Sequence, residues 1–154
     1  MKTKKNGISF KSKYGWISLI ELNNKITELS FKKNNINSNS KILKEAKRKI
    51  VNFFSKKNRK IILPHKIEGQ KLQIKVWKEI EKIKYGKTST YGKIARKLKI
   101  SPRQVGKICG QNKLLLVVPC HRVIRAGGGL GGFSSIGGTK LKKKLLEFEK
   151  KLNN

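Results

Sequence analysis

The apolar pattern of this chain changes character across one polar, basic stretch, SKKNRKIILPHKIEG, residues 55–69. Before it, YGWISLIELNNKITELSFK (14–32) reads as two β-rich runs around Asn23-Asn24. That pair is a hairpin signal, because Asn tolerates the left-handed backbone of a two-residue turn. SKILKEAKRKIVNFF follows, with Ile42, Ala46, Ile50 and Phe53 or Phe54 at helical spacing and Ser40 as its N-cap. Beyond the stretch the spacing is mostly helical. The spacing predicts an α+β chain of two parts, with the boundary near Pro64. Residues 1–66 form a small domain of antiparallel sheet plus helix, and residues 67–154 a mainly helical domain.

In the second part, QKLQIKVWKEIEKI carries Leu72, Val76, Ile80 and Ile83 on one stripe. KYGKTST is a turn ending in capping residues. YGKIARKL repeats the stripe with Ile94, Ala95 and Leu98, and ISP breaks it. RQVGKICGQN then sets Val105, Ile108 and Cys109 against Arg103, Gln104 and Lys107. Two short helices with a tight turn, the second basic on its exposed side, fit a helix-turn-helix. A plain helical hairpin with solvated lysines fits the same residues. LLLVV (114–118) reads as buried strand or extended chain, residues 126–138 as a glycine-rich loop. TKLKKKLLEFEKKL reads as a closing helix with Leu141, Leu145, Phe148 and Leu152 on one face.

Charge narrows the partners. Thirty-nine Lys and Arg oppose eight acids in 154 residues, a formal +31. Such an excess repels itself unless a polyanion shares it, and nucleic acid is the natural partner. Lys, Asn and Ile are abundant throughout, as AT-rich genomes produce, so charge alone does not identify a function. No apolar run is long enough to span a bilayer, and MKTKKNGISF is not followed by a signal-peptide core. We therefore expect a cytoplasmic protein with free thiols and no membrane partner. All eight acids are glutamates, which argues against a carboxylate-rich Mg²⁺ or Ca²⁺ site. Cys109, Cys120, His65 and His121 lack zinc-ligand spacing, so no metal is expected.

The chemistry concentrates in VVPCHRVIRAGGGLGG (117–132). A thiolate is a strong nucleophile and a thiol a weak one, so Cys120 beside His121 has a base at hand. Adjacent side chains on extended backbone diverge, and a bridging water would close the gap. The imidazole then needs an orienting carboxylate, for which Glu147 and Glu149 are candidates. On the residues alone Cys120 also fits a small buried hydrophobe, and His121 a hydrogen-bonded structural residue. Gly127, Gly129 and Gly132 satisfy Gly-x-Gly-x-x-Gly, but no helix follows in a βαβ unit, so no dinucleotide site is expected.

VVPCHRVI resembles the acceptor motif Pro-Cys-His-Arg-Val of the O6-alkylguanine-DNA alkyltransferases, also called methylated-DNA–protein-cysteine methyltransferases. EGQKLQIKVW is similar to the family's Gly-Thr-x-Phe-Gln-x-x-Val-Trp, and YGKTSTYGKIARKL to its Gly-x-Thr-x-Ser-Tyr-x-x-Ile/Leu-Ala. RQVGKICGQN followed by LLLVVPCHRV keeps the family's order Arg-x-Val-Gly, Asn, Pro-Cys-His-Arg-Val. KKKLLEFE resembles its closing Lys-x-x-Leu-Leu-x-x-Glu. The resemblance covers residues 68–149.

It implies a winged helix-turn-helix-like DNA-binding motif and DNA repair by direct reversal, one transfer per molecule, without a cofactor. Cys120 would accept the alkyl group of O6-alkylguanine, and O4-alkylthymine is a second candidate. His121 would act through water as base, oriented by Glu149, with Asn112 bracing the turn. Tyr91 would donate to guanine N3, and the carbonyls of Cys120 and Val123 would read the exocyclic amine. Ser134 would face O6, and Phe133 would wall the pocket where the family has Tyr. Arg103 would enter the base stack as the nucleotide flips out, with Tyr91, Gln104 and Lys107 also on the DNA. The expected partner is duplex DNA and the expected state a monomer.

The resemblance departs in two places. The span from Tyr91 to Arg103 is shorter than the family's, and that from Phe133 to Glu149 is longer. The alternative function is an alkylated-base binder without transfer, but proteins of that kind replace the acceptor cysteine. A cysteine hydrolase would need His65 to reach the thiol. A purely structural basic nucleic-acid protein leaves PCHRV unexplained.

Overall fold

A computed structural model describes residues 5–132 and 138–151. It divides into two compact units, residues 1–68 with 113–117, and residues 69–112 with 118–154.

The first unit is a three-stranded antiparallel sheet, β1 (Asn6–Ser12), β2 (Gly15–Leu22) and β3 (Lys25–Ser30), in the order β1-β2-β3, with helix α1 (Lys41–Phe54) packed on it. The β2–β3 turn is Asn23-Asn24, both at positive φ (52° and 64°), as the sequence predicts. β1 lies in NGISFKS, where the reading above placed no strand. Its lysine-rich surroundings hide the alternation, and only pairing along its length with β2 reveals it. Ser40 caps α1, accepting from the Leu43 amide, and donates in turn to the buried Glu21 carboxylate of β2. The cap thereby gives a buried charge a hydrogen-bonding partner. Leu43, Ala46, Ile50 and Phe53 face the sheet; Leu43 takes the place expected for Ile42.

LLLVV is not a strand. Leu114 makes a single bridge to Leu29, flanked by Leu29 N–H to the Lys113 carbonyl (2.8 Å) and Leu115 N–H to the Leu29 carbonyl (3.1 Å). The chain then turns at Leu116 (φ 69°). Turning lets Leu114, Leu115 and Leu116 all be buried, where a strand would send alternate side chains to opposite faces. These residues pack with the first unit, whereas the sequence reading kept 67–154 whole.

The second unit contains α2 (Lys71–Glu81), β4 (Ser89–Thr90), α3 (Tyr91–Leu98), α4 (Pro102–Gly110), a single 3₁₀ turn (Cys120–Arg122), β5 (Val123–Ile124) and α5 (Gly138–Lys151). α2, α3 and α4 pack on one another, burying Val76, Trp77, Ile80, Ile94, Ala95, Val105 and Ile108. Trp77 is core: its indole N–H donates to the Ile108 carbonyl at 3.1 Å. α3 and α4 form the helix-turn-helix. Lys99 stops α3 in the left-handed conformation, and Ser101 starts α4 with Pro102 at its first turn. α5 and α2 pack against the 3₁₀ turn.

Candidate active site

Two short pairings bring the functional residues of the second unit together. β4 and β5 are parallel, with Ser89 opposite Val123 and Thr90 opposite Ile124. Thr90 is also the N-cap of α3, so the pairing sets Tyr91, the first helical residue, beside the segment leaving Cys120. On the other side α4 ends at Gly110 and delivers Asn112. The amide Nδ2 of Asn112 donates to the Val118 carbonyl (2.9 Å) and to Cys120 Sγ (3.2 Å). Pro119 leads into the turn, which Arg122 N–H closes on the Pro119 carbonyl at 2.9 Å.

Cys120 is 3% exposed. Burial pushes its thiol up, while the Asn112 hydrogen bond and the Lys142 charge pull it back. His121 is 1% exposed and makes no direct hydrogen bond with Cys120 among the described residues. Its Nε2 meets Glu149 Oε2 at 2.8 Å. Arg122 grips the same carboxylate from the side, Nε to Oε1 and Nη2 to Oε2, both 2.8 Å, and its Nη1 donates to the Ile83 carbonyl at 2.8 Å. Burial works against the Glu149 charge, but the bonds from His121 and Arg122 outweigh it and hold the carboxyl at about 2. An ionised carboxylate only accepts, so Nε2 carries the imidazole proton and Nδ1 is the basic nitrogen. Burial, ahead of the opposing Glu149 contact, keeps the imidazole pKa below its usual value. The ring therefore rests neutral at neutral pH, ready to take a proton.

A cavity of about 740 Å³ opens onto Cys120. Its lining includes Tyr91, Arg103, Cys109, Arg125 and Gly131. Burial and then the nearby thiols push Tyr91 up to about 12, so it is a neutral phenol and a hydrogen-bond donor. The Tyr91 hydroxyl packs hard against Gly131, where a built Cβ would lie 2.6 Å from the oxygen. On its other flank Lys142 of α5 reaches the hydroxyl oxygen at 3.2 Å.

The structure thus gathers Tyr91, Asn112, Cys120, His121, Val123 and Glu149 in one unit. Arg103 is exposed at the second position of α4 and lines the cavity. Gln104 is exposed but is also a cap, its Oε1 accepting from the Ser101 amide at 3.1 Å. Lys107 is exposed on the same helix. Phe133 and Ser134 lie outside the described residues. Sequence reasoning passed over the cavity-lining Arg125 and the buried Lys142. For Lys142 a signal existed: it precedes Glu149 by two helical turns and shares the face of Leu145.

Residues 71–151 match the family described as 6-O-methylguanine DNA methyltransferase, DNA binding domain. A methylated-DNA–protein-cysteine methyltransferase of Metallosphaera sedula is 36% identical over 146 residues, 92% of this chain and 90% of that protein. Its namesake from Sulfolobus acidocaldarius is 53% identical over 75 residues, 49% of this chain and 46% of that protein. The O6-methylguanine methyltransferase of Mycobacterium tuberculosis superposes with a TM-score of 0.84 at 28% identity, covering 96% of this chain and 94% of that one. The M. tuberculosis OGT in complex with DNA gives 0.85 at 29% identity, covering 95% and 93%. The α+β fold with its helix-turn-helix is thus that of a DNA-binding transferase. The chain belongs to the methylated-DNA–protein-cysteine methyltransferase family. With that family come the enzyme class, a methyltransferase, and the process, DNA repair. Among the described residues no helix is long and apolar enough to cross a membrane.

Proposed function

We propose that the chain, as a monomer on duplex DNA, removes the alkyl group of O6-alkylguanine by transferring it to Cys120. The observation that carries this is the Cys120 thiol at a cavity, hydrogen-bonded by Asn112, next to a neutral imidazole that an ionised carboxylate holds in one tautomer. His121 takes the thiol proton through a bridging water, because the two side chains share no direct bond. The thiolate attacks the alkyl carbon, the carbon–O6 bond breaks, and the electron pair leaves with guanine. Tyr91 donates to N3 as that charge develops, and the proton shed by the thiol balances the one the base gains. The Cys120 and Val123 carbonyls hold the exocyclic amine.

Arg103 fills the stack that the flipped nucleotide leaves, and Gln104 and Lys107 lie along the DNA with it. The thioether product has no route back, so each molecule acts once. The test is intact-protein mass after mixing with duplex carrying one O6-methylguanine, followed by peptide mapping. A gain of one methyl on the Cys120 peptide is expected. Bound DNA without that gain would make the chain a binder of alkylated bases instead.

A further inference from the structure

Lys142 is the only buried lysine among the described residues, with no exposed surface at all. An ammonium so enclosed costs several kcal/mol unless its donors are satisfied. No carboxylate pairs with it among the described residues. Its Nζ instead donates to the Tyr91 hydroxyl oxygen and to the Gly132 carbonyl, both at 3.2 Å, and lies 5.5 Å from the centre of the Tyr91 ring. Cys109, Cys120 and Arg125 are the other titratable or charged groups that act on it.

Burial holds Lys142 below its ordinary pKa. As an ammonium it has three donors and no acceptor, so in that form the Lys142–Tyr91 bond runs from the nitrogen to the phenol oxygen. The phenol oxygen accepts, and its own proton has to point elsewhere. Gly131 backbone occupies one flank of that hydroxyl, which leaves the cavity side open. We propose that Lys142 is a positioning residue: by donating into the Tyr91 oxygen it turns the hydroxyl proton toward the cavity, where the departing base accepts it. This rests on the alkyl-transfer reading above. A cation at the oxygen also favours the partial negative charge that a donating phenol acquires.

The test compares two reactions of Cys120 in a Cys109→Ser background. One is transfer from O6-methylguanine duplex. The other is alkylation by iodoacetamide, which expels iodide and needs no help from Tyr91. Lys142→Met is expected to slow transfer by roughly tenfold more than it slows iodoacetamide. In a Tyr91→Phe background that excess disappears. Lys142→Gln, which still donates to the hydroxyl, retains more transfer than Lys142→Met. Equal slowing of both reactions would place Lys142 on the thiol, and an excess that persists in Tyr91→Phe would make it independent of Tyr91; either overturns the proposal. A parent protein that reacts with iodoacetamide but takes no methyl from DNA would refute the underlying alkyl-transfer reading, a failure separate from these.

Discussion

Asn112 and Cys120 are joined by a 3.2 Å hydrogen bond from amide to sulfur, and the same nitrogen holds the Val118 carbonyl at 2.9 Å. One side chain therefore fixes both the backbone entering the 3₁₀ turn and the thiol at its start. Asn112→Ala removes both bonds. The Val118 carbonyl keeps the Cys120 amide at 2.7 Å but loses its second donor, so the cost is about 1 kcal/mol. It also removes a contact that favours the thiolate, so the pH profile of Cys120 alkylation by iodoacetamide should move to higher pH. Urea denaturation reads the first effect and the alkylation rate the second. An unmoved profile would mean that Asn112 braces the turn without tuning the sulfur.

The His121–Glu149–Arg122 cluster makes stability depend on pH in one direction. Glu149 sits at about 2 in the folded chain, below its ordinary 4.5. Its contribution is full above 4.5 and is lost as pH falls toward 2. His121 is held below its ordinary 6.5, so the unfolded chain also binds that proton more readily once pH drops under 6.5. Both act together. Stability should decline from about pH 6.5 and steepen below 4.5, with Glu149 accounting for about 3 kcal/mol. In Glu149→Gln the steep limb should disappear, although the variant starts less stable because Arg122 loses its buried counter-charge. Thermal melts across pH would show it; an unchanged limb would assign acid lability to other carboxylates.

Some of this was readable from local pattern. The Asn23-Asn24 turn, the Ser40 cap and the helices from α1 onward follow from spacing and capping chemistry, which act within a few residues. Strand β1 was not readable, because NGISFKS carries only two large apolar side chains, Ile8 and Phe10, and its evidence is its pairing with β2. The apolar run 114–118 misled for the opposite reason: apolarity marks burial, and Leu116 buries itself by turning. The site divides in the same way. PCHRV and the resemblance around it single out Cys120 and His121. That Arg122 spans Glu149 from 27 residues away, and that Lys142 meets Tyr91 across 51, are products of packing. Local pattern alone does not predict such contacts.

Gly131 has φ +73°, a conformation that resists a side chain, and a Cβ there would lie 2.6 Å from the Tyr91 hydroxyl and 2.8 Å from a ring carbon. The other edge of the ring faces Gly106 of α4, where even an added Cβ would lie 3.9 Å away, so the ring has room to be pushed to that side. Gly131→Ala should therefore displace the Tyr91 hydroxyl from the cavity. Transfer should slow about tenfold or more, with duplex affinity changed far less. A variant that bound DNA poorly but transferred at the parental rate would show that the residue serves binding instead.

Arg103 stands exposed at the start of α4 and at the cavity at once, the position from which a side chain can enter a base stack while the pocket receives the flipped nucleotide. A free base needs no flipping. Arg103→Ala should thus slow repair of O6-methylguanine in duplex by about tenfold or more and leave reaction with free O6-benzylguanine nearly unchanged. Lys107, one turn further along the exposed side, has a different expected task. If it neutralises a phosphate, Lys107→Ala weakens binding alike on all sequences and lowers the salt slope by about one. Single-turnover rates on the two substrates and binding titrations at several salt concentrations separate the roles. Equal losses of Arg103→Ala on duplex and free base would place that arginine in the pocket chemistry and not in the stack.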